Sequence, residues 1–348
     1  MKELFDITII GGGPAGLYSA FYSGLREMKT KIIECQNTLG GKVRIYPEKM
    51  IWDVGGLRPV LAHEFCEDLI EQGLTFHPAV CLNQKVERIE KEGDLFVITA
   101  SDGEVHYSKA VILANGGGII SPQKLEVEDA HKYELTNLHY TVGRIDRFRG
   151  SRVLISGGGN TAVDWAVELM NVAKNVTVVY RKEELSAHEA QVKKLRENGV
   201  AIILNGMITR LYPNEEKDVI AAAAITVDGV NQLLEVDDVL INHGYHRESS
   251  VSFAEAIEPR KTNEAYFEST GKGVLSVEGL FAAGDNIAYD GKVYMLLGAF
   301  QDAVNAVNSA KQYIDPSSHP SGMVSSHNEV FKTRNEKLIK ERHAYGNG

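Results

Sequence analysis

Hydrophobic residues along this chain gather in short, β-branched runs that stop at glycine. The first, Leu4-Phe5-Asp6-Ile7-Thr8-Ile9-Ile10, is brief and rich in isoleucine, and predicts a buried strand. Pro14 to Glu27 is helical in composition, and Thr30-Lys31-Ile32-Ile33-Glu34 predicts a second strand. Strand, glycine turn, helix and strand together make a βαβ crossover. From Gln84 to Tyr107 the pattern turns to short alternating segments, Val86-Glu87-Arg88-Ile89 and Leu95-Phe96-Val97-Ile98, with a turn at Ser101-Asp102-Gly103. That pattern predicts a small antiparallel meander. Ala110 to Ala114 then returns as a buried parallel strand and closes on Asn115-Gly116-Gly117-Gly118.

The series restarts at Arg152-Val153-Leu154-Ile155-Ser156. Gly157 opens a turn, Asn160 to Ala173 reads as helix, and Val176 to Tyr180 as the next strand. A second meander runs from Ile208 to Val236 and ends in the strand Val239-Leu240-Ile241-Asn242. The chain is thus an internal duplication in architecture. A third segment, Leu280-Phe281-Ala282-Ala283-Gly284-Asp285, followed by a long helix from about Tyr294 to Tyr313, has no glycine fingerprint of its own and is expected to complete the first sheet. The fold class expected is therefore α/β, with two Rossmann-like, three-layer ββα dinucleotide-binding domains. Residues 117–247 form the inserted domain, residues 1–116 and 248–348 the host, and 315–348 a C-terminal tail and helix. Loops near Asn115–Gly118 and His243–Glu248 serve as the two hinge strands.

At 348 residues the chain is long enough for two hydrophobic cores. A net charge of -10 argues against a general nucleic-acid binder, which needs a broad basic face. The N-terminus runs straight into a strand without an apolar signal core, and no apolar run approaches the roughly 20 residues of a membrane helix. A cytoplasmic protein is expected. Cys35, Cys66 and Cys81 are too few and too scattered for a disulfide framework or a metal site, and read as small buried hydrophobes.

The candidate chemistry lies at the two glycine turns. In Gly11-Gly12-Gly13-Pro14-Ala15-Gly16 the first glycine lets the strand turn sharply, the second lets backbone touch a pyrophosphate, and the third lets helix pack on sheet. The helix N-terminus then offers free N–H groups to the phosphates. Glu34, 23 residues past Gly11, is placed to accept hydrogen bonds from an adenosine ribose and to exclude a 2′-phosphate, so this site is expected to hold FAD or NAD. The second fingerprint is Gly157-Gly158-Gly159-Asn160-Thr161-Ala162, and at its acid position stand Arg181 and Lys182. Their cationic heads suit the phosphate of NADPH. Asp285, a carboxylate at a strand end, can bind the hydroxyls of a ribityl chain, which FAD has and NADPH lacks; an isolated Gly-Asp turn carries no weight alone.

At these residues the chain resembles the two-dinucleotide flavoprotein reductases, and most closely ferredoxin–NADP reductases of the thioredoxin-reductase-like type. The likeness covers essentially the whole chain. It is carried by the two fingerprints, Leu39-Gly40-Gly41-Lys42, Tyr46-Pro47-Glu48-Lys49, Phe281-Ala282-Ala283-Gly284-Asp285 and the tail segment Ser325-Ser326-His327. The resemblance implies FAD held by Gly11, Gly13, Pro14, Ala15 and Gly16, by Glu34, Gly41, Lys42, Tyr46 and Asp285, by backbone near Val86 and Ile120, and by Ser326 and His327. It implies NADPH held by Gly157, Gly159, Asn160, Thr161, Arg181 and Lys182. Tyr46 would stack on one flavin face and His327 on the other, in cis or from the partner of a homodimer. Without that likeness, Tyr46 is a core residue before Pro47 and His327 an exposed terminal histidine. The chain departs from the pattern at Ala114-Asn115-Gly116, and it lacks the Cys-x-x-Cys of thioredoxin reductases, which excludes dithiol exchange.

The expected reaction passes electrons from NADPH through FAD to a one-electron carrier, a ferredoxin or flavodoxin-like protein, with no obligatory side-chain acid or nucleophile. An acidic protein serving an acidic carrier needs a local basic patch; the basic tail, with Lys332, Arg334, Lys337, Lys340 and Arg342, together with Lys42 and Arg44, is the candidate. A flavin monooxygenase and a non-catalytic FAD/NADPH redox sensor remain as alternatives.

Overall fold

The computed structural model describes residues 3–248, 251–262, 266–323, 328–332, 335–336 and 338–340. Contacts divide the chain into two compact units. The first comprises Met1–Arg44, Met50–Ile119 and Glu248–Gly348, and the second Ile45–Lys49 and Ile120–Arg247.

In the first unit, Leu4–Ile10 is flanked in parallel by Thr30–Ile33 and Val105–Leu113. Ala79–Cys81 extends one edge, and Leu280–Ala282 pairs with the far end of Val105–Leu113. The strand Val105–Leu113 belongs to two layers. Its first half pairs antiparallel with Leu95–Ala100, which pairs in turn with Val86–Glu92. Its burial alternates there, then becomes continuous from Ala110 onward. Alternation suits a meander with one wet face, and continuous burial suits a parallel strand covered on both.

The two faces of the parallel sheet carry separate cores. Ile7, Ile9, Ile32 and Ile112 pack on the helices Pro14–Leu25, Ala62–Gly73 and Leu296–Ile314, whereas Ile10, Ile33, Val111 and Leu113 pack on the meander. Neighbouring residues in one strand thus serve opposite layers, as the two-residue period requires.

The second unit repeats the plan. Its parallel sheet runs Leu138–His139, Asp238–Ile241, Arg152–Ser156, Asn175–Val179, Ala201–Ile203, and Gly206–Pro213, Ile220–Val227 and Val230–Glu235 form the antiparallel layer. Ile155, Val178 and Leu240 face the helix Asn160–Leu169 and its fully buried Trp165, while Leu154, Val179 and Ile241 face the antiparallel layer.

Two helices end earlier than composition predicts. The first stops at Leu25, because Met28 N–H turns back to Ser23 O and Glu27 adopts φ +57°. The helix from Asn160 stops at Leu169 rather than Ala173, because the backbone of Val172 and Lys174 pairs with Gly150 and Ser151 ahead of the next strand. At the first helix a local turn ends the helical run, and at the second, pairing with a distant segment overrides helix propensity. Among the described residues, no helix is long and apolar enough to cross a membrane.

Asn137 ties the second unit's two layers together. It is 6 % exposed, donates through Nδ2 to Ile220 O (2.8 Å) and Asp237 O (2.7 Å), and accepts Ile220 N–H at 2.9 Å. Asn137→Ala leaves these backbone groups without partners and should lower stability by about 2–4 kcal/mol. Urea unfolding measures it, and a loss below about 1 kcal/mol would show that water or relaxation replaces the side chain.

Candidate functional site

The first unit builds a cradle at the C-terminal edge of its sheet. Gly11 turns the chain with φ +105°, and a Cβ there would lie 2.5 Å from Ala114 O. A Cβ on Gly16 would stand 1.9 Å from Gly11 O. Both positions therefore exclude any side chain. The helix Pro14–Leu25 begins at an extended Gly13 without a side-chain cap. Its first intrahelical amide is Leu17, bonded to Gly13 O at 2.9 Å, so the N–H groups of Ala15 and Gly16 have no intrahelical partner. Gly41 folds against Gly13, where a Cβ would come within 2.7 Å of Gly13 Cα, and the exposed Lys42 follows it.

Beside this turn stands Glu34, 6 % exposed. Its Oε2 accepts Gly12 N–H at 2.6 Å, and its Oε1 accepts Gln36 N–H at 2.8 Å and the Cys35 thiol at 3.2 Å. Among the described residues no cation pairs with it. A buried carboxylate oriented by neutral donors has lone pairs to spare for hydroxyl groups. Gln84 N–H bonds to Glu34 O, which brings the start of the Val86 strand alongside. On the other side, Gly284 adopts φ +92°, and a Cβ there would lie 3.0 Å from Ala15 Cβ, so the half-buried Asp285 follows a turn that abuts the helix start. Asn286 fixes this turn, donating to Leu113 O and Asn115 Oδ1 at 2.9 Å each. Asn115, the departure noted in the sequence, acts here as an acceptor.

The second unit holds a cavity of about 610 Å³ whose wall includes Gly157–Ala162, Arg181, Asn242 and His243. Gly157 has φ +150°, and a Cβ there would lie 2.4 Å from Asn242 O. Gly158 packs on the Tyr180 ring, and the helix Asn160–Leu169 again starts at an extended glycine with no side-chain cap. Asn160 Oδ1 is engaged by His188 N–H at 2.9 Å. Arg181 is exposed, lies in the cavity wall, and has no carboxylate partner among the described residues. Lys182 is exposed beside it but outside the wall. Sequence reasoning missed His243, whose Nε2 lies 2.7 Å from Ser156 Oγ and so joins the ends of the two central strands. Its position just past the returning strand, equivalent to Asn115 in the first unit, is the signal that was available.

Tyr46 was expected within residues 1–116. Instead Ile45–Lys49 groups with the second unit, for identifiable reasons. Lys49 Nζ lies 3.4 Å from both Asp164 and Glu168, Glu48 accepts Ile145 N–H at 3.1 Å, and Thr141 Oγ1 donates to Ile45 O at 2.8 Å. The Tyr46 ring centroid lies 6.5 Å from that of Trp165. Burial and a hydrogen bond with Tyr46 push the Tyr245 phenol up, so it stays protonated. Ile120 also falls in the second unit, while Ser326 and His327 lie outside the described residues. Of the basic patch, Arg44 is tied to Thr38 Oγ1 and Leu39 O, Lys332 pairs with Glu329 at 3.5 Å, and Arg334, Lys337 and Arg342 lie outside the described residues.

A family model for the pyridine nucleotide-disulphide oxidoreductases matches residues 5–310. The chain belongs to this family. It is 53 % identical over 343 residues to ferredoxin–NADP reductase 3 of Lysinibacillus sphaericus (strain C3-41), covering 98 % of each chain. Ferredoxin–NADP reductase 1 of Bacillus licheniformis matches with the same identity and coverage. In fold it is similar to the thioredoxin reductase of T. acidophilum (TM-score 0.71, 22 % identity, 91 % of this chain and 100 % of that one). The thioredoxin reductase of Lactococcus lactis is comparable (TM-score 0.70, 23 % identity, 89 % and 99 %). The family's cofactors are FAD and a pyridine nucleotide.

The three cysteines are free thiols: Cys66 is buried, and Cys35 and Cys81 are half-buried. Burial, reinforced by the Glu34 carboxylate, pushes the Cys35 thiol up to about 12. The thiolate is the reactive form, so at pH 8 Cys35 in the native protein should react with iodoacetamide at least about tenfold more slowly than in the urea-unfolded chain. Mass spectrometry of the labelled peptide would show it, and equal rates would contradict the half-buried placement of the thiol beside Glu34.

Proposed function

We propose that this chain transfers electrons from NADPH, through FAD, to a ferredoxin or a flavodoxin-like protein. The reading rests on one observation above all: two glycine cradles of the same build carry opposite charge beside them. The buried Glu34 meets an unphosphorylated ribose and repels a 2′-phosphate, whereas Arg181, unpaired among the described residues in its cavity wall, attracts one. The residues fit the cofactors: glycines that a Cβ would fill line both turns, and uncapped helix starts face both with free amides. In the first unit, Gly11, Gly13, Pro14, Ala15, Gly16, Glu34, Gly41, Lys42 and Asp285 would hold FAD. In the second, Gly157, Gly159, Asn160, Thr161 and Arg181 would hold NADPH, with Lys182 nearby.

Bound FAD supplies exchange of electron pairs on one side and single electrons on the other. The chain's own work is binding and orientation. Glu34 selects the ribose, Arg181 selects the phosphate, and the Gly284–Asp285 turn receives the polyol. The ferredoxin–NADP reductases that share over half its residues support the identity of the carrier. No cysteine pair is spaced for dithiol exchange, which disfavours a disulfide acceptor. A homodimer is proposed on the resemblance alone.

Three measurements test this. Anaerobic NADPH should bleach the bound flavin, and added ferredoxin should accelerate cytochrome c reduction; an unbleached flavin would refute the reading. Arg181→Ala should raise the KM for NADPH by about 10–100-fold while leaving that for NADH nearly unchanged, the weight of one charge-assisted phosphate contact. An equal effect on both nucleotides would place the phosphate elsewhere.

A further inference from the structure

Helix Leu296–Ile314 carries one carboxylate into the interior of the first unit. Asp302 is 1 % exposed and lies 2.8 Å from Lys292 Nζ, whose side chain is 2 % exposed. Asp302 Oδ2 also accepts Gly284 N–H at 3.2 Å, and Oδ1 accepts the Tyr289 hydroxyl at 2.6 Å. Lys292 Nζ donates in addition to Val293 O at 3.1 Å. Replacing a wholly buried ion pair by apolar groups of similar shape is often neutral or stabilising, because desolvation of two charges offsets their attraction. The pair therefore needs a reason other than stability.

The reason lies in which groups it holds. Its three donors, Gly284, Tyr289 and Lys292, are spread along the connection between the strand Leu280–Ala282 and the helix, on both sides of the short strand Ile287–Ala288. One carboxylate on a rigid helix thus grips that connection at three points, with both oxygens used. Burial and the adjacent Asp302 push the Tyr289 phenol up, so its hydroxyl remains a donor throughout the working pH range. Gly284 immediately precedes Asp285 and abuts Ala15 at the start of the first helix.

We infer that Asp302 is a positioning residue for the flavin site: through Gly284, Tyr289 and Lys292 it fixes the turn that aims the Asp285 carboxylate at the ribityl chain of FAD. This rests on the reading of Asp285 as an FAD-holding residue. An asparagine at 302 would offer one acceptor oxygen to three donors and leave the Lys292 charge buried and unpaired.

The test is the affinity of the apoprotein for FAD, followed by quenching of flavin fluorescence, together with the apoprotein's thermal midpoint and the visible circular dichroism of the bound flavin. The triple variant Tyr289→Phe/Lys292→Met/Asp302→Leu removes every charge and hydroxyl of the network while keeping its volume. It should lower the apoprotein midpoint by only about 2–8 °C, the cost of the Gly284 N–H left without its acceptor, while raising the Kd for FAD at least about tenfold and altering the dichroism band, as loss of one or two hydrogen bonds to a held turn predicts. Tyr289→Phe alone leaves the ion pair intact and should weaken FAD about threefold. An unchanged Kd in either folded variant, with Asp285→Ala weakened, overturns the positioning role alone. An unchanged Kd in Asp285→Ala overturns the reading of the turn beneath it.

Discussion

Everything in this molecule depends on a close approach made twice. At Gly11 and at Gly157 the end of a central strand passes so near the end of its parallel neighbour that a Cβ would lie 2.5 Å from Ala114 O in one case and 2.4 Å from Asn242 O in the other. The surrounding bonds match. Gly11 N–H bonds to Ile33 O and Gly157 N–H to Val179 O, while Ala114 N–H bonds to Ile10 O and Asn242 N–H to Ser156 O, all between 2.7 and 2.9 Å. Positive φ at a residue without Cβ lets the chain leave the sheet and enter the helix at once. The helix start is then left uncapped by protein and open to an anion. The duplication seen in the hydrophobic pattern is thus repeated at the level of individual hydrogen bonds.

From that shared frame the two units diverge in charge. One places a buried glutamate beside the glycine turn, held by two backbone amides and a thiol; the other places an exposed arginine in a cavity wall. In the proposed function this difference sorts two cofactors that share an adenosine diphosphate core. In that reading the protein's own task is selection and placement of the two cofactors. The buried Asp302 network belongs to the same logic, since a turn that must present a carboxylate at a fixed angle benefits from a rigid helix behind it.

Much of this was legible in the sequence, because strands buried on both faces read as short apolar runs and glycine turns read as gaps between them. Glu34 and Arg181 were visible because their distance from the fingerprint is set by one helix and one strand. The helix Ala62–Gly73 was equally legible, with Ala62, Phe65, Cys66 and Leu69 at helical spacing, yet it lies outside the fingerprints that guided the reading. Other features had no local signal. Asp302 sits 18 residues past Gly284 on a helix that looks ordinary, and only the fold shows that it faces inward. The attachment of Tyr46 to the second unit depends on Lys49 finding Asp164 and Glu168, more than a hundred residues away. Long-range polar pairing of that kind leaves no periodicity to read.

The central claim is that the two adenosine sites differ in charge at one position each, and fragments of the cofactors test it without any redox step. Calorimetric titration of the flavin-loaded chain with adenosine 2′,5′-bisphosphate and with adenosine 5′-monophosphate compares ligands that differ only in the 2′-phosphate. The bisphosphate should bind at least about tenfold more tightly, with an advantage that shrinks as salt is raised. Equal affinity for the two fragments would contradict the account.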